Sequence, residues 1–384
     1  MSAAPIFINA FSVTCALGDD TDTVAANLFA AAPPLLRETA KLSDGRSTPV
    51  GRVKALGGPA HETRTNRIIA HAYDPLAASI DSARARYGAD RVGVVLGTSV
   101  SGIGEGGAAA RAKLAGEPWP AHFTLERQQL GDSARFLAEI SGALGPFYVV
   151  STACTSGARA LVSAARLIQA GICDAVISGG ADALCELTLN GFSALEAISA
   201  KQNNPMSVHR DGLNLGEGAG LFMLSREEGP FRLAGWGESA DGHHMSAPDP
   251  EGAGAEAAMR AALAKAGLSA GDVDFAHLHG TATPLNDAME SAVVARLLGL
   301  ETPCASTKPL TGHTLGAAGA VQAALCLLAM QRGQMPPHMW DGARDPALPP
   351  IRLAQPGERG ALKHVLSASY AFGGNNAALL LAAS

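Results

Sequence analysis

A cysteine, two histidines and a lysine stand in short stretches rich in glycine, threonine and alanine, and they carry the chemistry open to this chain. Cys154 lies in STACTSG (151–157), between a strand-like run at 147–151 and an Ala-rich helix expected over 155–170. A thiol opening a helix meets the positive end of the helix dipole and unpaired N–H groups, which stabilise a thiolate or an oxyanion beside it. That placement fits a nucleophile that takes up an acyl group, while the alternative is a buried structural cysteine. His279 begins HGTATPLND (279–287) at the end of a strand expected over 274–279, where Gly280 turns the chain and the imidazole can face a cleft. The alternative there is a loop histidine bonded to its own backbone.

Lys308 and His313 share STKPLTGHTLG (306–316), a loop shaped by Pro309 and Gly312 ahead of an apolar helix. A lysine led into so apolar a region needs a partner, and Asp287 and Glu290, on one helix face, can supply a carboxylate. A surface turn is the alternative. Phe372 precedes Gly373-Gly374 in AFGGNN (371–376), a loop whose N–H groups can approach a ligand or simply join two strands. RDGLNLGEGAG (210–220) lacks the lysine of a phosphate-binding loop and the context of a dinucleotide site, and is read as structural.

These positions need a scaffold of alternating strands and helices. Near-continuous apolar runs at 91–99, 147–151 and 173–179 read as buried strands, separated by helices, which argues for a sheet covered on both faces. The second half repeats the theme, with strands at 219–224, 231–236, 274–279, 363–370 and 377–381, and helices at 252–268, 287–300 and 315–332. Residues 151–170 and 306–333 each set a reactive residue before an Ala-rich helix, so two duplicated halves are expected, divided as 1–228 and 229–384.

With 384 residues the chain exceeds one small core. Only 17% of residues are charged against 47% apolar, which excludes disorder and fits a large core or much surface buried against another subunit. The formal net charge of −6 and the absence of a Lys/Arg block argue against a nucleic-acid partner. Six scattered cysteines without a CxxC pair read as reduced thiols in a cytoplasmic protein, and they lack the spacing of a metal site. Residues 1–18 have no basic leader, and the apolar run 316–330 contains Gln322 and is short for a bilayer, so neither a secretory signal nor a membrane span is expected.

Together the motifs resemble those of the elongating β-ketoacyl-acyl-carrier-protein synthases of the thiolase superfamily. TACTSG is similar to the nucleophile motif, HGTATPLND to the first-histidine motif and TKPLTGHTLGAAG to the lysine and second-histidine motif, with RDGLNLGEGAG and AFGGNN as Gly-rich loops, in the family's order. The resemblance implies a five-layered αβαβα thiolase fold, usually a dimer, either with an identical chain or with a related ketosynthase-like subunit. It makes Cys154 the acylated nucleophile, His279 and His313 the pair on the malonyl thioester, and Lys308 an orienting group acting through Glu290, with Asp287 in support. Thr281 and Thr283 would touch the phosphopantetheine arm of an acyl carrier protein, the substrate carrier, with no bound cofactor or metal implied. Phe372 would gate the acyl pocket and share an oxyanion hole with the Cys154 N–H, and Gly106, in SVSGIGEGG (99–107), would leave the far end of the acyl tunnel open. His277 and Asn375 depart from the family's usual Asn and Thr, and the chain is shorter than housekeeping members, which suits a specialised polyene-pathway ketosynthase. A chain-length-factor-like partner subunit is the competing assignment, but such subunits lose the cysteine. Arg64 and Arg67, on one face of a helix over 62–73, are the expected docking cations for the acidic carrier protein.

Overall fold

A computed structural model describes residues 4–54, 56 and 62–384. Twelve strands are present among them: β1 (Phe7–Thr14), β2 (Glu38–Lys41), β3 (Ser47–Val50), β4 (Val92–Gly97), β5 (Phe147–Val150), β6 (Ala175–Asp182), β7 (Gly218–Ser225), β8 (Phe231–Ala240), β9 (Phe275–His277), β10 (Cys304–Ala305), β11 (His364–Ala371) and β12 (Asn375–Ala383). The α-helices are α1 (Thr21–Leu28), α2 (Arg64–Tyr73), α3 (Ala77–Tyr87), α4 (Ile103–Leu114), α5 (Asp132–Ser141), α6 (Ser156–Gln169), α7 (Glu186–Ala194), α8 (Ala253–Ala266), α9 (Pro284–Leu298), α10 (Lys308–Thr311) and α11 (Ala318–Arg332).

Ten strands join in the order β10-β9-β11-β12-β8-β1-β7-β6-β4-β5, and β2 and β3 form a separate hairpin. The large sheet divides at its middle, where β1 meets β8 over only the pairs Phe7–Arg232 and Ile8–Phe231. Each side then has the same plan. The second strand of the half lies parallel to the third and the fourth, and the fifth runs antiparallel to the fourth and to the first. This repetition is the duplication suggested by the sequence.

The residues of β4, β6 and β7 are buried along their whole length, because helices cover both faces. Helices α6 and α11 pack on each other and on strands of both halves, forming the central layer. Outside, α2 and α5 cover the N-terminal strands and α8 covers β8 and β12, completing the αβαβα arrangement of the thiolase fold. The central helices pass close because their contact is built from small residues. A Cβ on Gly157 would lie 2.9 Å from the backbone N of Ala320, and one on Gly319 would lie 2.8 Å from the backbone N of Ala158.

The apolar stretch Leu315–Arg332 is long enough by length and composition to cross a bilayer, but 83% of it is buried inside the protein. It is a core helix because the sheet halves enclose it, rather than because it is short. The segment 99–107, expected to border the acyl tunnel, enters α4 at Ile103, where α4 packs on α7 despite the low helix propensity of its glycines.

Candidate active site

Cys154 sits on the elbow between β5 and α6. Ala153 adopts a left-handed φ of 52°, an unfavourable conformation for a side chain with a Cβ. The elbow is held by Thr152 N–H donating to Ser156 Oγ (2.9 Å) and by Ser156 Oγ donating to the Ala153 carbonyl (2.6 Å). The cysteine precedes the helix, whose cap is Thr155, rather than opening it.

His279 follows β9. The Glu290 carboxylate, presented by α9, accepts the backbone N–H groups of His279 (2.6 Å) and Gly280 (2.7 Å) and so fixes the turn that aims the imidazole. Asp287 does the same one turn earlier, accepting the N–H of Met206 (2.8 Å) and of Ala282 (3.2 Å). His313 is pinned by the Gly-rich loop read as structural: its N–H donates to the Asn214 carbonyl (2.7 Å) and its carbonyl accepts from Gly216 N–H (3.0 Å). That loop is therefore part of the site's framework, a role its motif did not reveal.

These elements bring His313 Nε2 to 3.0 Å from Cys154 Sγ, and the His279 and His313 rings to 5.3 Å, nearly perpendicular. All three residues line a cavity of about 280 Å³, with Thr281, Thr283 and Phe372 also in its wall. Thr281 and Thr283 hydroxyls bond to each other (2.9 Å), and the Phe372 ring stacks on Phe192 at 5.4 Å. Donor atoms of Cys154, His279 and His313 lie within 4.8 Å of one another, so the trio could also ligate a metal ion.

The electrostatics follow from burial. Desolvation pushes the Cys154 thiol up to about 12, against the opposing pull of Lys308 and of the backbone N–H groups of Cys154 and Phe372. The helix start therefore does not offset burial, the thiol is the favoured form, and His313 Nε2 is the nitrogen that faces its sulfur. Desolvation first, and then the Lys308 charge, hold both His279 and His313 well below the usual imidazole range, so they are neutral. Burial raises the Glu290 and Asp287 carboxyls and lowers the Lys308 ammonium.

Three expectations need correction. Lys308 does not pair with Glu290, whose oxygens are spent on backbone N–H groups; its Nζ donates to the His279 carbonyl and to Gln322 Oε1 (3.2 Å) and lies 3.5 Å from His279 Nδ1. Gly106 is not among the described residues lining the cavity; on α4 it faces Gln128, whose Oε1 a Cβ would meet at 2.0 Å. Arg64 is not a free docking cation, because it forms an ion pair with the buried Glu217 and donates to the Val53 carbonyl (2.9 Å). Arg67 donates to the Leu56 carbonyl (2.7 Å). His277, the departure from Asn, is buried with Nε2 3.0 Å from Thr307 Oγ1, and Asn375 accepts from Arg159 (3.0 Å).

Sequence reasoning missed Asp182. Its buried carboxylate accepts from Thr98 Oγ1 (2.5 Å), Ser99 N–H (2.9 Å), Val100 N–H (3.0 Å) and Gly316 N–H (2.6 Å), tying the end of β6 to the turn after His313. An acidic residue closing an apolar strand was its only signal.

The family model "Beta-ketoacyl synthase, N-terminal domain" matches residues 73–229 and "Beta-ketoacyl synthase, C-terminal domain" matches residues 231–340. The chain is 36% identical over 258 residues to 3-oxoacyl-[acyl-carrier-protein] synthase 2 of Rhizobium meliloti, a stretch covering 62% of this chain and 61% of that one, and so spans less than two thirds of that relative. It is 31% identical over 316 residues to the enzyme of the same name from Vibrio harveyi, covering 76% and 75% of the two chains. Among solved structures, a ketosynthase in complex with its chain length factor from Xenorhabdus doucetiae matches at a TM-score of 0.95 and 41% identity, over 99% of this chain and 98% of that one. A strained Cys elbow, paired histidines and a buried lysine on a duplicated sheet thus coincide with this likeness, and the chain belongs to the β-ketoacyl synthase family.

Proposed function

We propose that this chain is a β-ketoacyl-[acyl-carrier-protein] synthase, an acyltransferase that holds an acyl chain on Cys154 and extends it with a malonyl unit by decarboxylative Claisen condensation. The observation that carries this is the 3.0 Å contact between Cys154 Sγ and a neutral His313 Nε2, with His279 beside it in one cavity. In the first step His313 accepts the thiol proton as sulfur attacks the acyl thioester. The oxyanion faces the N–H groups of Cys154 and Phe372, and the carrier thiol leaves with the proton. In the second step the bond to the malonyl carboxylate breaks, CO2 departs, and the electron pair becomes an enolate on the thioester oxygen, stabilised by an N–H of His279 and by His313 as its Nε2–H tautomer, the thiol it faced being now acylated. The enolate carbon then attacks the acyl carbonyl, a carbon–carbon bond forms, the carbon–sulfur bond breaks, and the Cys154 thiolate released takes a proton from solvent to restore the thiol.

The substrates arrive on the phosphopantetheine arm of an acyl carrier protein, for which the hydroxyls of Thr281 and Thr283 in the cavity wall are the proposed contacts. A second ketosynthase-like chain, identical or related, is the proposed subunit partner. The likeness to a ketosynthase held by its chain length factor supports this, as does the open sheet edge β5, where Phe147 is 50% exposed. The retained Cys154 favours the enzyme over a chain-length-factor-like subunit. The pathway is fatty acid or polyketide synthesis of the aryl-polyene type. Six unpaired cysteines support a cytoplasmic setting, and the division at 228/229 is supported by the β7–β8 connection.

Cys154→Ala is the test. The variant should lose condensation while still decarboxylating malonyl carrier protein, because that step uses only the histidines. Normal product formation by the variant refutes the assignment.

A further inference from the structure

Gln322 is the one amide or charged side chain between Ala318 and Ala329 of the enclosed helix α11, and it is 3% exposed. Its orientation is fixed by its neighbours. Nε2 faces two carbonyls, of Leu278 (3.3 Å) and Ala368 (3.1 Å), and lies 3.1 Å from His277 Nδ1. Oε1 faces the Lys308 ammonium at 3.2 Å, and an ammonium can only donate. The other atoms that Lys308 Nζ touches are the carbonyl and Nδ1 of His279. The buried lysine is thus fully seated, yet none of its partners is an anion.

We propose that Gln322 is a positioning residue for the condensation: its neutral amide holds the Lys308 ammonium without neutralising it, so that the positive field falls on Cys154, His279 and His313. The inference rests on the function argued above. Other charges facing this cluster come from each neighbouring element. Glu290 and Asp287 on α9 act on Lys308 from beyond contact, with their oxygens engaged by backbone N–H groups and Asn286. Asp182 at the end of β6 acts on Cys154, His277 on β9 faces Lys308 and His338, and Tyr370 on β11 packs against the His279 ring at 5.8 Å. A contact anion at position 322 would cancel most of the lysine's effect. The field favours neutral imidazoles, which the decarboxylation step needs as N–H donors, and it favours the thiolate of Cys154.

The test compares the full chain with Gln322→Glu, nearly isosteric but anionic, and Gln322→Leu, which deletes the acceptor and adds no charge. Two curves are measured against pH: malonyl decarboxylation on carrier-bound malonate, and alkylation of Cys154 by iodoacetamide followed by peptide mass. Gln322→Glu should move the acid limb of decarboxylation up by about one pH unit and slow alkylation at neutral pH by about tenfold. Gln322→Leu should lower the rate and leave the acid limb in place. A folded Gln322→Glu with both curves unchanged overturns the proposal. If that variant does not fold, an acid limb that shifts in Gln322→Leu overturns it instead. A wild-type chain that decarboxylates nothing refutes the function above, and the alkylation curves then decide the role of Gln322 alone.

Discussion

Asp182→Asn separates what the buried carboxylate costs from what it positions. Burial pushes the Asp182 carboxyl from its ordinary 3.8 up to about 6. The ionised form is therefore penalised by about 3 kcal/mol relative to the protonated one. Its stabilising contribution is fully present below pH 3.8 and is lost as the pH rises through about 6. Asparagine has no such titration. It can keep one oxygen toward Thr98, Ser99 and Val100, but its NH2 then confronts the Gly316 N–H now bonded at 2.6 Å. An unsatisfied buried donor costs about 1–3 kcal/mol. The two effects nearly cancel at neutral pH, so urea unfolding there should show little change. Near pH 4 the wild type should be the more stable by about 3 kcal/mol, and the two curves should converge as the pH rises to about 6.5, because the wild type loses that margin and the variant does not. Activity should respond differently, because Gly316 anchors the turn after His313, and a loosened His313 should cut malonyl decarboxylation by about tenfold or more. Parallel stability curves across that window, or an unchanged decarboxylation rate, would refute the reasoning.

Arg64→Ala should cost about 3 kcal/mol in urea unfolding, because Glu217 is fully buried and would lose its only cationic partner among the described residues. Full stability in that variant would mean that the N–H groups of Val53 and Leu184 satisfy the carboxylate alone. Phe372→Ala removes the ring stacked on Phe192 but keeps the backbone N–H, so acylation of Cys154 should slow by about tenfold while malonyl decarboxylation stays within about twofold. Equal loss of both would place Phe372 in the histidine chemistry instead. Gly157→Ala sets a methyl 2.9 Å from backbone at Ala320 and should destabilise by about 1–3 kcal/mol, measured by urea unfolding, and an unchanged midpoint would show that α6 and α11 can part without penalty.

The order of strands and helices was legible because covered strands read as apolar runs, as at VGVVLG in β4, and because Cys154, His279, Lys308 and His313 sit beside turn-forming glycines and prolines. β1 was not recognised, since FINAFSVT alternates imperfectly and takes its identity from pairing with β7, more than two hundred residues away. The partners of charged groups were the least legible. Glu290 was matched to Lys308 by charge, yet it accepts backbone N–H groups, and Arg64 was assigned to the surface although Glu217 holds it. Asp182 and Gln322 went unassigned for the same reason: their bonds reach main-chain atoms of distant segments, which no local pattern encodes.

The repeated strand plan gives the Cys154–His313 contact an ancestry. Cys154 follows the third strand of its half and precedes α6, and His313 follows the third strand of the other half and precedes α11. They are equivalent stations of two copies, one carrying the proposed nucleophile and the other its proposed base. Neither copy alone holds both the proposed nucleophile and its proposed base, so that contact depends on a junction between the two repeated segments. Drift in either segment is felt as a change in that 3.0 Å separation. The alanines and glycines where α6 crosses α11 are thus constrained from both sides at once, and an enlargement accepted by one copy must be matched by a reduction in the other.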